Sequence, residues 1–177
     1  MKTIVVIPAF NEQATIGGVV EKSLQYADDV LVVDDGSKDN TSEIAKNAGA
    51  SIIKHPTNFG KGVALKDAFN NVDGYDVVVT IDGDGQHNPE EIPDLVKPIL
   101  EGRADFVNGS RYIDGFEENT PAYRRVGQRV LDIATNVTAG TSVTDSQSGF
   151  RAFRGNTIFC YKFRDPGFGI ESEMIAD

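Results

Sequence analysis

The sequence predicts an α/β fold built on a mostly parallel central sheet, and three observations carry that reading. Short unbroken apolar runs at residues 4–7, 30–33 and 77–81 suit strands buried on both faces of a parallel sheet. Segments with apolar residues at helical spacing separate these runs, which is the alternation of βαβ units. Each run also stops at a polar cluster: Pro8-Ala9-Phe10-Asn11-Glu12, Asp34-Asp35-Gly36-Ser37 and Asp82-Gly83-Asp84-Gly85-Gln86. Open α/β sheets bind ligands at the carboxyl ends of their strands, so these clusters mark the expected site.

Taken in order, Ile4-Val5-Val6-Ile7 is the first strand, ended by Pro8. Asn11 is placed to cap a helix carrying Ile16, Val20 and Leu24 on one face. Val30-Leu31-Val32-Val33 follows, then a helix capped near Asp39 or Asn40, then a short strand at Ile52-Ile53. A helix opens at Gly60 and shows Leu65, Ala68, Phe69 and Val72 at helical spacing. The run at 77–81 is the central strand. Asn88-Pro89-Glu90-Glu91 reads as a capped helix start, with a turn first and a kink at Pro98. Phe106-Val107 is the next strand, residues 113–120 have loop chemistry, and Tyr123, Val126, Val130, Ala134 and Val137 form the apolar stripe of a further helix. Off that stripe lie Arg124, Arg125 and Arg129, which with Arg111 make the main basic concentration. Such a cluster serves either as a solvated helix face or as a phosphate grip, for which the planar guanidinium is suited. Residues 145–151 read as a polar turn into a strand.

A chain of 177 residues, 40% hydrophobic, fits one globular domain with a substantial core. The net charge of −10 argues against general nucleic-acid binding. No apolar run approaches the roughly 18 residues a membrane span requires. Pro8 and Asn11 break the first apolar run too early for a signal peptide. Cys160 is the only cysteine, so no internal disulfide forms, which fits the cytoplasm. The chain's end has the pattern of a helix start, and the expectation is a chain truncated at its C-terminus.

The stretch at 82–86 carries the chemistry. If the backbone stays extended there, Asp82, Asp84 and Gln86 point the same way and offer three oxygen groups, with Gly83 and Gly85 leaving space between them. Two carboxylates this close repel unless a cation lies between them, and Mg2+ or Mn2+ commonly bridges protein carboxylates to phosphate oxygens. An Asp-Gly run is also ordinary turn chemistry. A calcium loop does not fit, because His87 and Pro93 stand where Gly and Glu are needed. A dinucleotide fingerprint is missing after the first strand. Gly60-Lys61 is not a P-loop, since no Ser or Thr follows Lys61. What remains is an edge bearing Glu12, Asp34, Asp35, Asp82 and Asp84, a set suited to ribose hydroxyls and a metal-bound diphosphate. His55 and His87 lack metal-type spacing, and His87 is left as an outer neighbour of the site at most.

Six runs, in order, carry a family resemblance: PAFNE (8–12), VVDDGSKDNT (32–41), NFGKG (58–62), DGDGQHNPEEIP (82–93), GSRY (109–112) and DSQSGFRAF (145–153). Together they resemble the family 2 glycosyltransferases of the GT-A fold, and within them the dolichol-phosphate and polyprenol-phosphate sugar synthases. The resemblance implies one catalytic domain over 1–177, with 1–112 binding the nucleotide sugar and 113–177 the acceptor. It implies a nucleoside pocket lined by Pro8, Phe10, Glu12, Asp34 and Asp35, with Lys61 and Gly83 at the donor. Asp82, Asp84 and Gln86 would hold Mg2+ or Mn2+, and Arg111, Arg124 or Arg125, and Ser148 would lie at the acceptor phosphate. Asp82, Asp84, Arg111 and Asp145 are the implied catalytic residues. The implied partners are a GDP- or UDP-hexose and a dolichyl or polyprenyl phosphate, the latter bringing the protein to the cytoplasmic face of a membrane as a peripheral protein.

The departure from many of these synthases is Asp-Gly-Asp in place of Asp-Ala-Asp, which keeps both carboxylates. A hydroxyl acceptor would instead need a base, for which Asp145 is the candidate with Glu171 or Glu173 behind it. A non-catalytic nucleotide-sugar-binding module is the alternative from another class. A nucleotidyltransferase ranks lower, because the first strand lacks a Gly-rich basic loop.

Overall fold

The computed structural model describes residues 1–109 and 149–160. The helix expected over 123–137, the basic cluster, Asp145, Ser148, Glu171 and Glu173 lie outside the described residues.

Period-2 burial sorts the strands onto two helical layers. The elements run β1 (Thr3–Ala9), α1 (Ile16–Ser23), β2 (Asp29–Asp34), α2 (Thr41–Asn47), β3 (Ser51–Lys54), α3 (Lys61–Phe69) and β4 (Val77–Thr80). A 3-10 turn at Pro89–Glu91 then leads into α4 (Ile92–Leu100), followed by β5 (Phe106–Asn108) and β6 (Arg151–Arg154). Val5, Ile7, Val30, Val32, Val77 and Val79 face one layer, where they pack with Ile16 and Val20 of α1, Ala45 of α2, and Ile92 and Val96 of α4. The alternate residues Ile4, Val6, Leu31, Val33 and Val78 face Ala64, Leu65, Ala68 and Phe69 of α3. Strands buried on both faces need no polar positions, which is why they read as continuous apolar runs.

Among the described residues the sheet order is β3-β2-β1-β4-β6-β5. β3, β2, β1 and β4 are mutually parallel. β6 is antiparallel to both β4 and β5. The order reverses between β1 and β4, and a crevice forms at such a switch point beyond the carboxyl ends of the strands.

Four local expectations are corrected. Pro8 does not end β1 but pairs opposite Val33, and the strand continues to Ala9. Pairing of β4 with β1 stops at Val6, so Pro8 lies where only one neighbour remains and its missing N–H is tolerated. Asn11 is not a helix cap: it adopts a left-handed φ of 56°, and its side chain accepts from Lys38 N at 2.9 Å. The helix starts further along the chain, at Ile16. Asp82 to Gly85 does not stay extended. The chain turns there, Gly85 taking φ 74°, so the alternation that would align Gln86 with the two aspartates is broken. The helix after β3 ends at Phe69, although Val72 is still buried against it. Other expectations match. Asn88 caps the turn at Pro89, accepting from Glu90 N, and Pro93 lies in the first turn of α4.

Candidate functional site

The carboxyl ends of β1, β2 and β4, with the first turn of α3, enclose a cavity of about 310 Å³. The end of β1 contributes Pro8, Phe10 and Glu12. Asp35 comes from the end of β2, and α3 contributes Lys61. The turn after β4 contributes Asp82, Gly83 and Asp84. The sheet register thus gathers residues far apart in the chain. Of the predicted donor residues Asp34 does not line the cavity, and of the predicted metal ligands the exposed Gln86 does not.

Asp34 is fully buried. Its carboxylate accepts from Ser37 N at 2.8 Å and from the Ser42 hydroxyl, and Lys54 Nζ lies 3.5 Å away. Burial pushes this carboxyl up. The Ser37 and Ser42 donors and the Lys54 charge outweigh burial and hold it below the usual carboxylate range. Asp34 therefore ties the β2 end to α2, and its neighbour Asp35 faces the cavity. Asp35 Oδ1 accepts from Phe59 N at 2.8 Å and lies 2.8 Å from His55 Nδ1, while Oδ2 accepts from Gly60 N at 2.8 Å. Three of about four acceptor positions on that carboxylate are used within the protein, which leaves one for a donor in the cavity.

Glu12 is held by Thr15, whose hydroxyl lies 3.3 Å from Glu12 Oε2 and donates to Gly83 O at 2.7 Å. This contact links the loop after β1 to the turn after β4. Burial holds the Glu12 carboxyl above the usual range; Thr15 opposes this, and the charges of Asp84, Asp39 and Asp82 add to it. Lys61 Nζ lies 2.7 Å from Asp82 Oδ1 and offsets part of the negative charge. Asp84 Oδ1 accepts from Gln86 N at 2.9 Å, which closes the turn.

Among the described residues no three His, Cys, Asp or Glu side chains converge as a metal cage. Asp82 and Asp84 both line the cavity, two carboxylates of the type that Mg2+ or Mn2+ takes. Such ions are commonly held by one or two carboxylates completed by water and substrate phosphate oxygens. The cavity's acidic excess at Glu12, Asp35, Asp82 and Asp84 against Lys61 suits a cation accompanying an anionic diphosphate.

Sequence reasoning misses three contributors. No motif singles out Thr15, the spacing of His55 argues only against metal binding, and Gly149 enters only as one letter of a longer run. Gly149 packs directly on Asp82: a β-carbon there would lie 2.5 Å from Oδ1 and 2.6 Å from Cγ. Its carbonyl accepts from Thr80 Oγ1 at 2.9 Å, and the Phe150 ring lies 5.2 Å from that of His87. The signal for each is a partner far along the chain, which linear spacing does not carry.

The sequence profile of glycosyl transferase family 2 matches residues 4–158. The chain belongs to this family. It is 43% identical over 154 residues to an uncharacterized protein of Methanocaldococcus jannaschii, covering 84% of this chain and 63% of that one. It is 38% identical over 176 residues to the UDP-N-acetylglucosamine–dolichyl-phosphate N-acetylglucosaminyltransferase of Methanococcus voltae, covering 86% and 69%. The undecaprenyl-phosphate mannosyltransferase of Micrococcus luteus is 31% identical, with 98% and 76% covered. Among solved structures, glucosyl-3-phosphoglycerate synthase from Mycobacterium tuberculosis in complex with Mn2+ and UDP-glucose superposes with a TM-score of 0.76 at 32% identity, covering 96% of this chain and 61% of that one. The chain thus spans somewhat under two thirds of the length of its M. jannaschii relative and of that synthase. The family 2 assignment and the GT-A sheet agree with the sequence reading. No helix among the described residues is long and apolar enough to cross a membrane.

Proposed function

We propose that this chain is the catalytic domain, or most of it, of a metal-dependent inverting hexosyltransferase that moves a hexose from a nucleoside diphosphate sugar to a polyprenyl phosphate. The observation that carries this reading is the cavity at the switch point, lined by Glu12, Asp35, Asp82 and Asp84 together with Lys61. Phe10 and Pro8 offer apolar surface for a base. The ammonium of Lys61 suits a diphosphate or sugar oxygen. Asp82 and Asp84 would hold the divalent ion, which supplies charge neutralisation for the departing diphosphate when bound. The names of the M. voltae and M. luteus relatives support a lipid-phosphate acceptor.

An acceptor phosphate is already anionic at neutral pH, so its oxygen attacks the anomeric carbon without a dedicated base. One displacement inverts that centre. Arg111, Arg124 or Arg125, and Ser148 are proposed to bind the acceptor phosphate, and the lipid would bring the protein peripherally to the cytoplasmic membrane face. The likeness to a synthase solved with phosphoglyceric acid favours a second reading, transfer to a hydroxyl, with Asp145 as base.

A transfer assay tests this directly. Purified protein with Mg2+ or Mn2+ is offered UDP- and GDP-hexoses, each with a polyprenyl phosphate and, separately, with hydroxyl-only acceptors. Lipid-phosphate product supports the first reading, and product only on hydroxyls moves the function to the second. Asp84→Ala is expected to abolish metal-dependent donor binding, and wild-type affinity in that variant would remove the metal assignment. Arg111→Ala is expected to weaken acceptor use far more than donor binding, and equal losses would remove the acceptor assignment.

A further inference from the structure

We propose that His55 is a positioning residue of the donor pocket, bridging Asp35 and Asp67 so that the Asp35 carboxylate and the turn into α3 are held against the cavity. This rests on the nucleotide-donor reading above and extends it to a residue outside the cavity lining.

His55 follows β3 directly. Its backbone N–H donates to Asp34 O at 2.9 Å, which extends the β2–β3 pairing past Lys54. The ring turns inward, with its side chain 7% exposed. Nδ1 lies 2.8 Å from Asp35 Oδ1 and Nε2 lies 3.0 Å from Asp67 Oδ2. A buried imidazole with a carboxylate at each nitrogen is held at both ends, since each ring nitrogen has a single in-plane direction for hydrogen bonding. One end is at β2 and the other on α3, so the ring ties the strand end to the helix beside the pocket wall.

The bridge acts on the site through Asp35. The same carboxylate takes the N–H groups of Phe59 and Gly60, the last two residues before α3. The Phe59 ring lies 5.3 Å from the imidazole. Gly60 adopts φ 98°, which lets the chain turn sharply into Lys61, whose ammonium reaches Asp82. Removing the imidazole frees one side of the Asp35 carboxylate and releases Asp67 to solvent. The orientation of Asp35, the start of α3 and the reach of Lys61 all loosen together. A histidine that merely filled space would be replaceable by any side chain of its volume; this one is recognised by two directional contacts.

The test uses titration calorimetry of UDP and of GDP with Mg2+, alongside thermal unfolding without nucleotide and steady-state kinetics with the donor that is turned over. Loss of one charge-assisted hydrogen bond predicts about ten-fold weaker nucleotide binding for His55→Ala. Donor KM is expected to rise by a similar factor, with kcat at saturating donor and acceptor KM little changed. Asparagine places its amide where Nδ1 stands and keeps the Asp35 contact, so His55→Asn is expected to recover binding to within about threefold. Glutamine reaches only toward Asp67, so His55→Gln stays weak. Unchanged nucleotide affinity in His55→Ala overturns the proposal, as do equal losses in the Asn and Gln variants. If the Ala variant does not fold, the Asn–Gln pair decides alone. A wild-type protein that binds neither nucleotide overturns the donor reading itself, and this inference with it; wild-type binding with an indifferent His55 overturns only this one.

Discussion

Substituting Gly149 by alanine would test whether the strand entering β6 sets the position of the Asp82 carboxylate. A β-carbon at 149 would stand 2.5 Å from Asp82 Oδ1 and 2.6 Å from Cγ. Ordinary van der Waals contact between such atoms needs about 3.5 Å, so the carboxylate must move by roughly 1 Å. Asp82 is a short, partly exposed side chain, and the folding cost is expected at the low end of overpacking, about 1 kcal/mol. The site is less forgiving. Lys61 Nζ at 2.7 Å loses a charge-assisted contact once the oxygen moves beyond hydrogen-bond range. On the proposed metal role, Asp82 must also keep its distance to the ion within about 0.2 Å. A misplacement of about 1 Å in a positioned group is worth about a hundred-fold in rate, and disturbing the support of a metal ligand about ten- to a hundred-fold in affinity. The expected result is nucleotide binding with Mn2+ weakened at least ten-fold, with the unfolding midpoint lowered only a few degrees. Titration calorimetry, Mn2+ electron paramagnetic resonance and thermal melts measure nucleotide affinity, metal affinity and stability in turn. Wild-type affinity for nucleotide and Mn2+ in Gly149→Ala would refute the reasoning.

Two further predictions concern stability. Gly18 lies exposed inside α1, and a β-carbon added there would meet nothing within 4 Å, so Gly18→Ala is expected to stabilise the fold by about 0.5–1 kcal/mol, measured by denaturant titration. Asp34→Asn is expected to destabilise by about 2 kcal/mol or more near neutral pH, because the amide cannot accept every donor that converges on it. Since the folded Asp34 carboxyl is held below its usual range, its contribution is present above the unfolded pKa of about 3.9 and lost as pH falls through the lower folded value. The gap between wild type and Asp34→Asn should therefore be largest at neutral pH and close below about pH 4; a gap that widens in acid would contradict the assignment.

Much of the architecture was legible in the sequence. A parallel strand buried on both faces demands an unbroken apolar run, so the three central strands announce themselves. Residues at the carboxyl ends of neighbouring parallel strands must share an edge, which is why the sequence alone places Glu12, Asp34, Asp35, Asp82 and Asp84 together; all but Asp34 line the cavity. Backbone turns were harder. Pro8 and Asn11 carry strong local preferences that the pairing of β1 with β2 and the contacts with Ser37 and Lys38 override. At 82–86 the glycines allow either an extended chain or a turn, and the choice falls to Thr15 on Gly83 O and the packing of Gly149.

What the chain alone determined is its layered α/β class, its family, and the presence of an acidic edge at the strand ends. Which of two adjacent aspartates faces the cavity was decided only in three dimensions. Asp34 and Asp35 are chemically identical and one residue apart, and successive side chains at a strand end point opposite ways. Ser37, Ser42 and Lys54 claim the first, while His55, Phe59 and Gly60 hold the second at the cavity wall. Those partners lie as far as 25 residues along the chain. The pairing of β3 beside β2 brings Lys54, His55, Phe59 and Gly60 within reach, because hydrogen bonds and ion pairs act over a few ångströms of space rather than along the sequence.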